Sequence, residues 1–407
     1  MKIAIFVQEM TVGGVSTFIL NLSRLLYHAG HDVTVITLDK GEWGAQLTEI
    51  GVKVHCLKPK SWTVMRYQAS RLADYLSEQQ FDLFMVNLGG QRLPMVALHY
   101  LCDRLPILVA LHGDQPVVYD LATVNLTTWN CAVGVSPKVQ QVAAARLNPK
   151  PVHCILYGID LPTPKQLATR QSWALPLRLL FVGRLYDCEK GIFRLPAIVA
   201  GCRAKKLAVR LTVIGDGPDY THLSRLFVEQ GVADWVEMQG FQANTVVTEQ
   251  MRSHHLLLLP SNTEALGIVV QEAQANGCVP IASRMAGVTD ITIADGLTGR
   301  LVEATDIAGF VAAIATFTSA EVWTAYSQAA IAHAHQTYGL EIMRDRYLTL
   351  FAELHQGAYP LPLARSTFRQ QGGSPFTWAD YLPALLRSAL SKTVQRVRRL
   401  ARFPALP

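Results

Sequence analysis

The chain has 407 residues, half of them hydrophobic and 17% charged, with seven cysteines and a formal net charge of +6. That length suits two domains better than one, the composition excludes extensive disorder, and scattered cysteines without a CxxC pair argue against a disulfide framework or a cysteine zinc site. Residues 357–407 hold eight basic residues and one acidic residue, a net +7 that leaves the other 356 residues at about −1, so the charge does not indicate a nucleic-acid-binding body.

In chain order, Met1-Lys2 runs straight into Ile3–Val7, an apolar stretch too short for the core of a signal peptide, so export is not expected. Nothing approaches the roughly 20 uninterrupted apolar residues of a spanning helix. Free thiols in apolar surroundings suit a reducing cytoplasm, and that is the expected location. The runs Ile3–Val7, Asp32–Thr37, Val52–Cys56, Phe81–Val86, Ile107–Leu111, Cys131–Val135 and His153–Ile155 read as buried strands. The segments Val15–His28, Thr63–Ser77 and Pro137–Arg146 between them read as helices. Such alternation implies parallel βαβ units, whose ligands sit at the carboxyl ends of the strands. The prolines of Asp160–Lys165 mark a linker over 161–176. The alternation then restarts with strands at Leu177–Val182, Ala208–Ile214, Trp235–Met238, Leu256–Pro260 and Val279–Ala282. The expected fold is α/β: two Rossmann-like doubly wound domains facing a cleft, over 1–160 and 177–335. Residues 336–356 form a helix packing back toward the first domain. Within the tail 357–407, Trp378–Leu400 repeats leucine and valine at three-to-four spacing among arginines, an amphipathic basic helix.

The densest constellation joins Pro260-Ser261, Glu264, Gly267, Glu272-Ala273, Gly277 and Val279-Pro280. It reads as a strand, a polar loop, a glycine opening a helix, and a second strand. Amides around Gly267 can receive a phosphate or sugar oxygen. A glutamate at 272 can accept hydrogen bonds from a ribose diol. Two blander readings stand beside this one: Glu264 caps the helix, and Glu272 is only solvated. Arg184 and Lys190 leave the end of the Leu177–Val182 strand six residues apart, with the fork and the point charge that suit a diphosphate, or else as ordinary surface cations. Ile214-Gly215-Asp216-Gly217-Pro218 reads as a tight strand-to-helix turn. Gly13-Gly14 follows the first strand, but neither G-x-G-x-x-G nor G-x-x-x-x-G-K-[ST] is present. His112 ends a buried strand before Gly113, a place for either a structural or a cleft histidine. His254-His255 and His333/His335 lack the carboxylates or the spacing of a metal site.

Taken together, these segments resemble the family-4 retaining glycosyltransferases of the GT-B fold, whose donor domain carries E-x7-E in this frame. The resemblance extends to Phe181–Leu185 with Glu189-Lys190-Gly191, to Ala286-Gly287-Val288, and to Asp295–Gly299. It implies transfer of a sugar from a nucleoside diphosphate sugar to a sugar or lipid-linked acceptor hydroxyl in cell-envelope polysaccharide or glycolipid synthesis. It places Glu264 and His112 at the transferred sugar and Glu272 at the nucleotide ribose. Arg184 and Lys190 fall at the diphosphate, and Gly13, Gly14, Leu266, Gly267 and Ile268 against the donor. No cofactor and no metal are implied, there being no DxD triplet, and no nucleic-acid partner. Two departures bear on the sugar: Tyr157-Gly158 stands where the family commonly has asparagine-glycine, and Ala265-Leu266 where it has glycine-aromatic. A nucleotide-sugar epimerase, a phosphorylase or a non-catalytic nucleotide-sugar-binding scaffold are the rival readings. The basic helix over 378–402 suggests peripheral contact with an anionic membrane, against the alternative that it docks on the body.

Overall fold

The apolar runs assemble into two parallel sheets in a computed structural model that describes residues 1–10, 13–41, 43–58, 64–89, 92–101, 105–123 and 126–359. By its internal contacts the chain divides into two units. Of the described residues, unit 1 holds Met1–Val135, Val139–Ile155 and those from Arg344 to Tyr359, and unit 2 holds Ser136–Lys138 and Leu156–Met343.

Unit 1 is built on β1 (Lys2–Phe6), β2 (Asp32–Thr37), β3 (Lys53–Cys56), β4 (Leu83–Leu88), β5 (Ile107–Leu111), β6 (Cys131–Gly134) and β7 (Val152–Cys154). They form one sheet in the order β3-β2-β1-β4-β5-β6-β7. Its pairings are parallel, with Ile3 opposite both Val33 and Leu83. β4 and β5 are buried throughout, as strands covered on both faces must be, which is why they read as continuous apolar runs and not as alternations. The helix Gly14–His28 lays Phe18, Ile19, Leu22 and Leu26 on one buried stripe. Burial of each such side chain contributes about 1.5–3 kcal/mol.

Unit 2 repeats the plan with β8 (Leu177–Val182), β9 (Val209–Ile214), β10 (Val236–Gly240), β11 (Leu256–Leu259), β12 (Val279–Ser283) and β13 (Arg300–Val302), ordered β10-β9-β8-β11-β12-β13. One face packs Phe181, Leu211, Phe227 and Phe310, and the other packs Leu180, Ile214, Met251 and Val270. β13 goes beyond the twelve strands expected. Three residues carry no periodic signal, and it becomes a strand only because Ile281, Ala282 and Ser283 offer it an edge.

The segment read as a linker folds onto unit 2. Thr163 closes a capping box with Gln166 at the helix Pro164–Ala168, Arg170 donates to Ser327 Oγ at 2.5 Å, and Trp173 Nε1 donates to the Phe317 carbonyl at 3.0 Å. Pro164 is the first residue of that helix. The helix Leu340–His355 begins in unit 2 and passes into unit 1, where Tyr347 packs 5.7 Å from the Phe18 ring. His255 receives the backbone N–H of Arg178 at 2.9 Å and is pushed down to about 4 by burial, and His333 bonds the Tyr338 hydroxyl, so both are framework residues. The described cysteines are all free thiols. Among the described residues no single helix is long and apolar enough to cross a membrane. Cys102 and the basic segment over 378–402 lie outside the described residues.

Candidate functional site

In each sheet the strand order reverses direction once, between β1 and β4 in unit 1 and between β8 and β11 in unit 2. Such a reversal opens a crevice at the carboxyl ends of the flanking strands, because the connecting helices leave on opposite faces. The residues singled out in the sequence collect at these two places.

In unit 2, β8 is followed by Gly183, Arg184 and the short helix Asp187–Lys190, and β11 by the loop carrying Glu264. The two loops are tied together. Asn262 N and Thr263 N donate to the Glu189 carbonyl at 2.8 and 3.1 Å, and Asn262 Nδ2 donates to the Asp187 carbonyl at 3.0 Å. Arg194 bridges the same gap, giving Nη1 to the Pro260 carbonyl at 2.8 Å and Nη2 to Asn262 Oδ1 at 2.6 Å. This lacing sets Lys190 Nζ 2.6 Å from Glu264 Oε1, and Ser261 Oγ donates to the same oxygen at 2.8 Å. The pair is largely withdrawn from water, with side-chain exposures of 20% for Lys190 and 8% for Glu264. A buried carboxylate with two donors stays in one geometry, so Glu264 presents a fixed edge to the crevice. It does not cap the next helix: that position belongs to Gly267, with no side-chain hydrogen bond to it.

Lys190 therefore reaches Glu264 first and a diphosphate only by sharing its ammonium, which has three donors. Arg184 is exposed, its guanidinium 5.7 Å over the Tyr186 ring. Gly215 and Gly217 let the β8 loop pass: a Cβ on either would run into the backbone of Gly183 or Leu185. That turn serves the fold, holding Leu185 N on the Asp216 carbonyl at 2.9 Å.

Gly267 takes φ +75, a left-handed conformation, and starts the helix Ile268–Ala275 with its first amides at the crevice. Leu266 is 2% exposed, so its side chain is committed to packing. Glu272, five residues beyond Gly267, is only partly exposed. Burial raises its carboxyl to about 7, and the charge of Asp160 adds to the rise, so a solvated surface glutamate is the wrong description.

In unit 1, His112 follows β5 and is 9% exposed. Its Nε2 lies 2.7 Å from Asn87 Oδ1 at the end of β4, and its ring sits 5.2 Å from that of Phe18, one turn into the helix that Gly13-Gly14 opens. Burial holds the imidazole down to about 3, so it is neutral at physiological pH. Gly13 is exposed, and a Cβ there would meet nothing within 4 Å. Its glycine is thus not demanded by the protein around it. Sequence reasoning missed Asn87, Asp160, Arg194 and Asn262: each acts through a contact at long range, and none carries a local motif.

Known proteins match the chain in two blocks. The family model described as Glycosyltransferase Family 4 matches residues 12–162, and that described as Glycosyl transferases group 1 matches residues 169–334. The gpi3 subunit of phosphatidylinositol N-acetylglucosaminyltransferase from Schizosaccharomyces pombe is 26% identical over 302 residues, 69% of this chain and 64% of that protein. D-inositol 3-phosphate glycosyltransferase from Mycolicibacterium paratuberculosis is 31% identical over 209 residues, 48% of this chain and 46% of that protein. The chain thus spans less than two thirds of either relative's length. The crystal structure of Anabaena HepE in complex with UDP and glucose superposes with a TM-score of 0.70 at 17% identity, covering 87% of this chain and 100% of that one. At that identity the likeness speaks for the fold.

Proposed function

We propose that this chain, which belongs to the family-4 glycosyltransferases of the GT-B fold, moves a glycosyl unit from a nucleoside diphosphate sugar to an acceptor hydroxyl with retention of anomeric configuration. The observation that carries the reading is the Lys190–Glu264 pair, laced between β8 and β11 at the strand reversal beside the helix that Gly267 opens. Cleaving the sugar–phosphate bond builds positive charge on the sugar and negative charge on the departing diphosphate. Arg184, the Lys190 ammonium and the amides after Gly267 meet the negative charge, while the Glu264 carboxylate faces the sugar. Preorganised groups of this kind act without reorientation at the moment of bond breaking, so they lower the barrier and not merely the donor's Kd. Glu272 takes the ribose diol, and Gly13-Gly14 lets backbone approach the donor. His112 serves the sugar as a neutral imidazole, since burial pushes the loss of its second ring hydrogen down to about 3.

Glu264 and Glu272 are donor-binding groups in this scheme, so no protein nucleophile is assigned. The departing phosphate takes the acceptor's proton. Side-chain cations and helix amides stabilise the leaving group, so the reaction runs without a metal. HepE was crystallised with UDP, which makes UDP-sugars the first donors to test. Both curated relatives are named for inositol-containing phosphates, so inositol phosphate and phosphatidylinositol head the list of acceptors. A cytoplasmic, membrane-peripheral enzyme of envelope glycan or glycolipid synthesis fits a lipid-linked acceptor and the basic tail.

The test is nucleotide release from UDP-, GDP- and ADP-sugars, with and without acceptor, by wild type and Glu264→Gln in the presence of EDTA. Wild type is expected to turn over one nucleotide class in EDTA, with the variant at least about 100-fold slower. Equal rates would remove Glu264 from the reaction. Nucleotide-induced thermal stabilisation without turnover of any donor would favour a binding scaffold instead.

A further inference from the structure

We propose that Asn87 is a positioning residue that fixes His112 in its Nε2–H tautomer, so that any hydrogen bond His112 makes to a substrate is accepted at Nδ1. This rests on the reading that His112 serves the transferred sugar. Asn87 lies near the end of β4 and is 3% exposed. Its Nδ2 donates at 2.9 Å to the carbonyl of Phe6, the last residue of β1. A carbonyl only accepts, so the amide nitrogen must face Phe6, which turns Oδ1 toward His112. That oxygen lies 2.7 Å from Nε2 and also only accepts, so Nε2 must carry the hydrogen. A neutral ring with its hydrogen on Nε2 has its lone pair on Nδ1. Three adjacent strand ends, β1, β4 and β5, thus pass one constraint from a backbone carbonyl to the imidazole.

The chemistry that follows is specific. In this tautomer His112 accepts from a sugar hydroxyl at Nδ1, while its single ring hydrogen is engaged by Asn87 Oδ1. Burial keeps the ring in its neutral form, and Nε2 faces the Asn87 amide oxygen. Replacing Asn87 therefore removes the constraint on Nε2.

Long-range 1H–15N correlation spectra of the imidazoles, with His112 assigned by its absence in His112→Gln, test this on the full chain. In wild type His112 is expected to show the Nε2–H pattern unchanged from about pH 5 to pH 8. In Asn87→Asp a carboxylate replaces the amide and favours the imidazolium. His112 should then titrate inside that range, and kcat should fall as the pH drops below the new midpoint while wild type shows no such limb. In Asn87→Ala the tautomers should mix, with kcat reduced about tenfold and donor KM within about twofold. A wild-type Nδ1–H pattern overturns the proposal, and that measurement needs no variant to fold. Unchanged tautomer and kcat in Asn87→Ala overturn it as well. Absence of any transfer by wild type would instead sink the function on which it rests and leave the tautomer result standing.

Discussion

Glu264 and Glu272 sit eight residues apart on one loop and helix, yet their surroundings give them opposite characters. Glu264 is held by the Lys190 ammonium and the Ser261 hydroxyl. Removing its charge leaves Lys190 partly buried without that counter-ion, so Glu264→Gln is expected to lower stability by about 1–3 kcal/mol as well as slowing turnover. Denaturant unfolding checks the first effect, and Lys190→Met in the same background should recover part of the loss. Glu272 has no such cation, and in the folded chain its carboxyl rises from the usual 4.5 to about 7. Folding takes up a proton between those values. The stabilisation it brings is full below about pH 4.5 and lost as the pH rises through about 7. Glu272→Gln removes the titration. The variant should match wild type near pH 4.5 and exceed it by about 1–3 kcal/mol near pH 8, read from melting curves at both values; a pH-independent difference would contradict the shift. Because a carboxylate accepts from both hydroxyls of a diol, and more strongly than the protonated acid does, UDP binding by wild type should strengthen through about pH 7. Calorimetry should show that rise flattened in Glu272→Gln.

Among the elements, two helix starts carry glycines for different reasons, and this separates fold from site. Gly267 has φ +75, while a Cβ there would make only ordinary contacts, 3.7 Å from Val270 Cγ2 and 4.0 Å from Leu259 Cδ2. Gly267→Ala should therefore cost about 1 kcal/mol through backbone conformation alone, and shift the helix amides off the phosphate. Gly13 has an extended φ of 162 and open space around it. Gly13→Ala should leave the melting temperature unchanged and still raise donor KM several-fold, since only a ligand would meet the added methyl. Equal KM values for Gly13→Ala and wild type would end the donor-binding role of that turn. The same contrast explains what could be read before the structure. β4, β5 and β11 were legible because a buried parallel strand is an unbroken apolar run, and Gly267 because a helix opening after a polar loop leaves a pattern. β13 was not, since three residues have no period. Neither was the lacing of Arg194 and Asn262, nor Asn87 under His112. Those side chains meet partners 66, 68 and 25 residues away, and only the strand order brings them there.

At the scale of the whole molecule, the charge is divided unevenly along the chain. The described residues end at 359, and the two units they form carry almost no net charge, whereas residues 357–407 carry +7. An anionic surface attracts each basic residue near it by about 1 kcal/mol, so the tail alone can supply several kcal/mol of attachment while the units supply almost none. The leucines and valines spaced along Trp378–Leu400 would add apolar burial at the interface, and the competing outcome is that they pack on the protein. The two differ in what truncation does. If the tail serves a membrane, ending the chain after Tyr359 leaves the melting temperature and the turnover of a water-soluble acceptor unchanged. The same cut should abolish cosedimentation with vesicles containing phosphatidylglycerol. Attachment of the full chain should also fall steeply between about 0.1 and 1 M salt, as the screening length shrinks from about 10 to about 3 Å. If the tail packs on the protein, truncation lowers the melting temperature and the full chain ignores both vesicles and salt. Turnover of a lipid-linked acceptor presented in vesicles should follow the first pattern, falling with truncation while nucleotide release to a soluble acceptor does not.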